Sequence, residues 1–182
     1  MISYDKKFIF LHLGKCGGSS VKRELKIASR KYKFDVDHFR GHNELQYYLD
    51  LIVGKNFNPD DFFKFTIVRN PWDRAVSWYY HWHMVYRPGS KKEPFKKWLK
   101  SKGNLNFVGL DQMDYVIKLE EIKKGISHVF HELGIPGMPV GCCITHNTDR
   151  PKKDYKEYYD AETKQRIYDI NHDMIKKFNY MF

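Results

Sequence analysis

The sequence predicts an α/β fold in which a mostly parallel central sheet is flanked by helices. Short apolar runs with aromatic and β-branched character recur along the chain, bounded by glycine, proline or polar turn residues. Between them lie amphipathic stretches at helical spacing, and strands alternating with helices build parallel sheets. The two clearest runs, Phe8–Leu13 and Phe62–Val68, each lead into a turn rich in anion donors. In such sheets ligands bind at the carboxyl ends of the strands.

Residues 7–13 form the first predicted strand. Ser19 or Ser20 can cap a helix to about Arg30, with Val21, Leu25 and Ile27 or Ala28 on its inner side. Tyr32–Val36 reads as a weaker strand, His38–His42 as a loop, and Glu44–Val53 as a helix with Leu45, Tyr48, Leu49 and Ile52 in phase. Asn56–Asp61 is a turn before the strand Phe62–Val68. Asn70 suits an N-cap and Pro71 the first helical turn, so a helix follows to about Trp82. The polar, lysine-rich stretch 84–112 holds a short helix near Phe95–Leu99. Met113–Leu119 is a strand, Ile122–Leu133 a helix, and Gly134–Cys143 a loop. Ala161–Phe178 reads as one amphipathic helix with Ile167, Ile170, Met174 and Phe178 on one side.

At 182 residues, 42% hydrophobic and 16% aromatic, the chain is expected to form a single domain with a sizeable core. No apolar run approaches the ~20 residues of a membrane span. Three cysteines, two of them adjacent, are no disulfide framework. With no secretory leader in view, a reducing, cytoplasmic setting is expected. The net charge of +10 calls for an anionic partner: nucleotide, nucleic acid, acidic glycan or membrane surface.

The first turn, Lys15-Cys16-Gly17-Gly18-Ser19-Ser20, supplies successive backbone N–H groups, two glycines, two hydroxyls and a helix N-terminus. Those are the parts of a phosphate cradle, with the Lys15 charge at its mouth. It is not a Walker A loop, since Ile9 and Cys16 stand where glycine and Ser/Thr are needed. A cysteine-phosphatase loop fails too, because Cys-x5-Arg counted from Cys16 lands on Lys22. In the second turn the Arg69 guanidinium can fork onto a phosphate, and Ser77 shares a helix face with Asn70. An ordinary strand–helix connection at the first turn, and a plain Arg69–Asp73 pair at the second, are the competing structural readings.

Together the two turns resemble the cofactor-binding signature of sulfotransferases that use PAPS (3′-phosphoadenosine 5′-phosphosulfate), in particular the carbohydrate branch. Gly14-Lys15-Cys16-Gly17-Gly18-Ser19-Ser20 matches the family's P-K-T-G-G-T-S-like loop. Arg69-Asn70-Pro71-Trp72-Asp73-Arg74-Ala75-Val76-Ser77 matches R-[ND]-P-x-x-R-x-x-S without a gap. Tyr155–Asp160, and the helix ending in Phe178–Phe182, are similar to the family's closing segment. The resemblance implies a P-loop-like fold, with Lys15 and the loop to Ser20 holding the 5′-phosphosulfate and Arg69 and Ser77 the 3′-phosphate. Lys152 and Lys153, in Arg150–Lys153, would close over the nucleotide. The acceptor would be a hydroxyl, expected on a glycan, and the transfer requires no metal. Gly14 and Cys16 depart from the family's proline and threonine, which loosens the turn and removes a hydroxyl.

A base must take the acceptor's proton, and histidine suits neutral pH. The resemblance points to His42, with His38 second. His81 and His83, among Trp78, Tyr79, Tyr80 and Trp82, can line the acceptor site or pack in the core. Cys142-Cys143-x-x-His146 has poor spacing for structural zinc. Two rival readings remain open. One is a non-catalytic nucleotide- or nucleic-acid-binding module, supported by charge but by no nucleic-acid motif. The other is a nucleotide kinase, which would require Mg²⁺ and ATP.

Overall fold

The computed structural model describes residues 1–37, 39, 43–101, 105–137, 150–151 and 153–182. They fall into two compact units, one from residues 1–68 and 109–145, the other from 69–108 and 146–182.

The first unit is built on a four-stranded sheet in the order β1 (Ile2–Ser3), β2 (Phe8–Leu11), β3 (Phe63–Val68), β4 (Tyr115–Lys118). β1 runs antiparallel to β2, whereas the β2–β3 and β3–β4 pairs are parallel. The architecture is therefore mixed α/β with a mostly parallel sheet. Alternation along β2 sorts its side chains. Ile9 and Leu11 join Leu45, Tyr48 and Ile52 of α2 (Leu45–Gly54) in one buried cluster. Phe8 and Phe10 instead pack at tilted angles against Phe65 of β3, at ring-centre distances of 5.8 and 5.1 Å. The Thr66 hydroxyl donates to the Leu11 carbonyl at 2.7 Å, tying the carboxyl ends of β2 and β3. Helix α5 (Ile122–Glu132) lies on β4 through Gly125, where an added Cβ would come within 2.5 Å of Ile117 Cγ2.

The strand expected at 32–36 is absent, and its physical replacement is clear. Helix α1 (Gly18–Tyr32) runs on to Tyr32, and Lys33 ends it in the left-handed region at φ 54°. The edge is instead the hairpin strand β1, bridged from Ile2 to Asp37. Asp35 holds that edge by accepting from Ser3 Oγ (2.7 Å) and the backbone N–H groups of Tyr4 (2.9 Å) and Asp5 (2.8 Å). Its carboxylate serves the hairpin as turn chemistry rather than as sheet pairing.

The second unit is helical: α3 (Pro71–Tyr86), α4 (Phe95–Ser101), α6 (Ala161–Ile170) and α7 (His172–Phe178). Its core gathers Trp72, Val76, Tyr79, Trp98, Leu99 and Ile167. The single helix expected over 161–178 is two. Asn171 leaves helical geometry at φ −120°, ψ 20°, and its amide back-bonds to the Ile167 carbonyl at 3.0 Å. Such a side chain offers the backbone an alternative to the next helical bond. Helix α6 starts at a reciprocal capping box between Asp160 and Thr163. Lys96, hydrogen-bonded to Asp160, holds that carboxyl well below the usual carboxylate range. Among the described residues no helix is long and apolar enough to cross a membrane.

Gly125 sets how closely α5 approaches the sheet. Its added Cβ would meet Ile117 at Cγ2, Cγ1 and Cβ, the root of a branched side chain that cannot swing away. Gly125→Ala is expected to cost about 1–3 kcal/mol, read as a lower midpoint in urea unfolding of the intact chain. A change below 0.5 kcal/mol, about the size of an ordinary surface substitution, would mean that the helix shifts freely.

Candidate functional site

In the first unit, β2 delivers the chain through His12 and Leu13 to the turn Gly14–Gly17. Lys15 takes φ 63° and Gly17 φ 86°, both left-handed. Glycine suits position 17 because its left-handed φ strains an L side chain, and a Cβ there would also come within 2.5 Å of Leu119 Cδ1, the flexible end of that side chain. At Gly18 a Cβ would run into the His12 imidazole, so the first residue of α1 lies directly on that ring. His12 therefore lies under the start of α1.

The helix begins earlier than Ser19 or Ser20 could cap it. Gly17 is the N-cap and forms no side-chain cap bond, and the first turn of α1 carries no acidic residue. Ser19 is exposed and Ser20 is buried within that turn. An α-helix start without a side-chain cap or a carboxylate, with a lysine two residues ahead of the cap, suits an oxyanion. Cys16 points the other way. Its thiol is fully buried and donates to the Gly14 carbonyl at 3.5 Å. The threonine-to-cysteine departure therefore falls on an inward side chain.

In the second unit, Asn70 and Pro71 open α3 as expected. Asn70 Oδ1 accepts from the N–H groups of Trp72 (3.1 Å) and Asp73 (3.3 Å). Its amide nitrogen donates to the Met181 carbonyl at 2.9 Å and to Tyr155 Oη at 3.4 Å. Arg69 grips Asp73 Oδ2 through both Nε and Nη2 at 2.6 Å. The opposite oxygen, Oδ1, takes Arg150 Nη1 at 2.5 Å. All three side chains are at most 20% exposed. One carboxylate thus orients two guanidiniums, which is more than the plain Arg69–Asp73 pair read from spacing. Ser77 is buried on α3.

Arg74, the second arginine of the motif, is structural. It is buried, donates to the carbonyls of Leu105 (2.9 Å) and Asn106 (3.1 Å), and stacks on the Phe107 ring. Tyr159 donates to the Trp72 carbonyl at 2.7 Å, and burial, with Asp73 nearby, pushes its hydroxyl pKa far up, keeping the donor protonated. Phe182 packs edge-on against Trp72, Tyr155 and Tyr159. Tyr79 and Tyr80 are core residues, and His83 is buried beside Tyr79. Lys153 sits over the Tyr158 ring at 4.0 Å and 3.8 Å from Glu157. His38, His42 and Lys152 lie outside the described residues, as do Cys142, Cys143 and His146.

Sequence reasoning missed the roles of Arg150 and Arg74. Arg150 reaches Asp73 across 77 positions, and Arg74 reaches carbonyls 31 and 32 residues on, so no local spacing marks either contact. The basic run 150–153 was the one available hint for Arg150.

The family model described as the sulfotransferase family matches residues 1–113, well over half the chain and both turns. The chain belongs to that family, and sulfuryl transfer is the class of chemistry this supports. No curated protein and no solved structure matches the chain significantly.

Asn70 offers a two-sided test. Asn70→Asp keeps the acceptor for the cap but loses the amide donor, whereas Asn70→Ala loses both. Unfolding in urea is expected to show Ala destabilised by about 1–2 kcal/mol, chiefly the lost cap, with a smaller part from the partly buried bond to Met181. Asp should fall between Ala and the parent. Equal stability of all three would show that neither set of bonds matters.

Proposed function

We propose that this chain transfers the sulfuryl group of PAPS to a hydroxyl of a carbohydrate acceptor. The whole chain, 1–182, would act as one sulfotransferase-like domain of P-loop-like type. The observation that carries this reading is the start of α1. Its first turn has no side-chain cap and no carboxylate, and Lys15 lies two residues ahead of its cap in a chain that belongs to the sulfotransferase family.

In this reading the backbone from Lys15 through Cys16, Gly17 and Gly18 to Ser19 and Ser20 takes the 5′-phosphosulfate. Arg69, oriented by Asp73, takes the 3′-phosphate together with Ser77. Lys153 and Lys152 belong to the segment that closes over the nucleotide. The acceptor oxygen attacks sulfur in line, the bond from sulfur to the 5′-phosphate oxygen breaks, and 3′-phosphoadenosine 5′-phosphate (PAP) leaves. Negative charge grows on the departing phosphate oxygen, so Lys15 stabilises the transition state more than the ground state. His42 is proposed as the base that takes the acceptor's proton, with His38 the alternative. The transfer as written needs no metal. Acceptor choice is assigned to the segments around 38–43 and 81–112.

Calorimetric titration with PAP, with AMP and ATP as controls, tests the donor. Micromolar binding that collapses without the 3′-phosphate is expected. Equal or absent binding of all three would remove PAPS from the reading and favour a basic binding module. In turnover with PAPS, Lys15→Ala and His42→Ala are expected to lower kcat by about 10²–10⁴-fold, while Arg69→Ala chiefly weakens PAP binding. A parental rate in His42→Ala would transfer the base assignment to His38.

A further inference from the structure

The C-terminal turn of α3, inside the segment 81–112 assigned above to acceptor choice, carries a second feature that neither the donor nor the base requires. A pocket of about 380 Å³ opens there, a size typical of small-ligand sites. His83, Arg87, Ser90 and Lys92 contribute to its wall, and no acidic residue does. Its rim is a shaped turn. Ser90 N–H returns to the Arg87 carbonyl at 3.3 Å, with Pro88 at the second position and Gly89 at φ 74° at the third. That is the residue pattern of a type II turn, held further by Ser90 Oγ donating to the same carbonyl at 2.8 Å.

Aromatic faces steady both cations. The Arg87 guanidinium lies 5.0 Å from the Trp82 ring centre, and Lys92 Nζ lies 5.6 Å from that of Tyr80. His83 is 2% exposed, and neither ring nitrogen has a hydrogen-bond partner among the described residues. A buried imidazole with no partner calls for an explanation. Tyr79 and Trp82 pack edge-on against it, with ring centres 4.8 and 5.0 Å away, and neither bonds to its nitrogens. Burial lowers the His83 pKa, with Arg87 and Lys92 acting in the same direction and Glu93 against them. Glu93 is not part of the pocket wall, and its own backbone carbonyl accepts from Tyr79 Oη at 2.5 Å.

We propose that this pocket binds an oxyanion, a carboxylate or sulfate group, between Arg87 and Lys92, with His83 as the buried hydrogen-bonding group behind it. Two steadied cations, an imidazole without a partner and a wall free of carboxylates favour an anion over a neutral ligand or a metal ion. Ser77, assigned above to the nucleotide, lies six residues before His83 on α3, about 9 Å along the axis, and ten before Arg87. The oxyanion site is therefore separate from it. Its ligand is either a small free anion or the acidic group of a larger molecule such as a sugar acid. Only the role of that sugar as acceptor rests on the sulfotransferase reading.

The test uses the full chain at constant ionic strength, titrated with sodium sulfate, sodium glucuronate and uncharged glucose. Binding is followed by calorimetry and by the His83 Cε1–H resonance, identified by its loss in His83→Asn. Saturable binding of at least one anion, a shift of the His83 signal and no response to glucose are expected. Arg87→Ala/Lys92→Ala alters two exposed side chains and is expected to weaken anion binding tenfold or more while the fold, read by circular dichroism, is kept. Glucuronate at least tenfold tighter than sulfate would assign the site to a sugar acid. Comparable affinities would assign it to a small free anion. Absence of saturation, an unmoved His83 signal, or parental affinity in the double variant would overturn the proposal. PAP titrated in parallel separates the two readings. A chain that binds glucuronate but not PAP keeps this site and loses the donor assignment, and one that binds PAP alone does the reverse.

Discussion

The second unit depends on one amide side chain. Asn70 closes the first turn of α3 with its oxygen and reaches the Met181 carbonyl and the Tyr155 hydroxyl with its nitrogen. Those four bonds set the start of the helix, and the helix start sets Asp73. Asp73 in turn holds Arg69 and Arg150 on its two oxygens. The Phe182 ring, packed against Trp72, Tyr155 and Tyr159, shields the same corner. A guanidinium held this way has already lost most of its rotamer freedom, so less remains to be lost when an anion arrives.

The first unit solves an analogous problem with backbone alone. Its loop uses left-handed residues at Lys15 and Gly17, a buried thiol at Cys16 and a glycine against the His12 ring at Gly18. No side chain occupies the cap, so the helix start is shaped by what glycine permits. This explains why an apparently unfavourable cap coexists with a well-packed helix: Val21, Leu25 and Ala28 supply the burial that holds α1 in place.

Much of this was legible in the residues. β3, α2 and the Asn70–Pro71 start of α3 announced themselves because their signals are local: apolar runs, helical spacing and a cap beside a proline. Family membership could be read from two short motifs for the same reason. The misplaced features are those decided at a distance or by competition. Tyr32–Val36 has strand-like composition, yet Lys33 turns left-handed and β1 takes the sheet edge. The amphipathic pattern over 161–178 continues through Asn171, and only its side-chain bond to Ile167 reveals the break. Within the candidate site, the motif positions were legible but their partners were not. Arg74 stood in the motif with no assigned role, and only its contacts with Leu105, Asn106 and Phe107 supply one.

The two units interleave along the chain, and this bears on the order in which the protein can assemble. The segment 69–108 leaves the first unit before β4 has been synthesised, and the second unit draws its remaining part from 146–182. Neither unit can therefore be completed as a contiguous stretch emerges from the ribosome. The Asn70 amide waits 111 residues for Met181. At a synthesis rate of about 5–20 residues per second, that wait is on the order of 5–20 seconds. During it the Arg69–Asp73 corner lacks its cover, and Trp72 stands as exposed apolar surface. The closing contacts are long-range, which places them among the slow steps of folding. A nascent chain halted between α5 and α6 would be the species most in need of a chaperone.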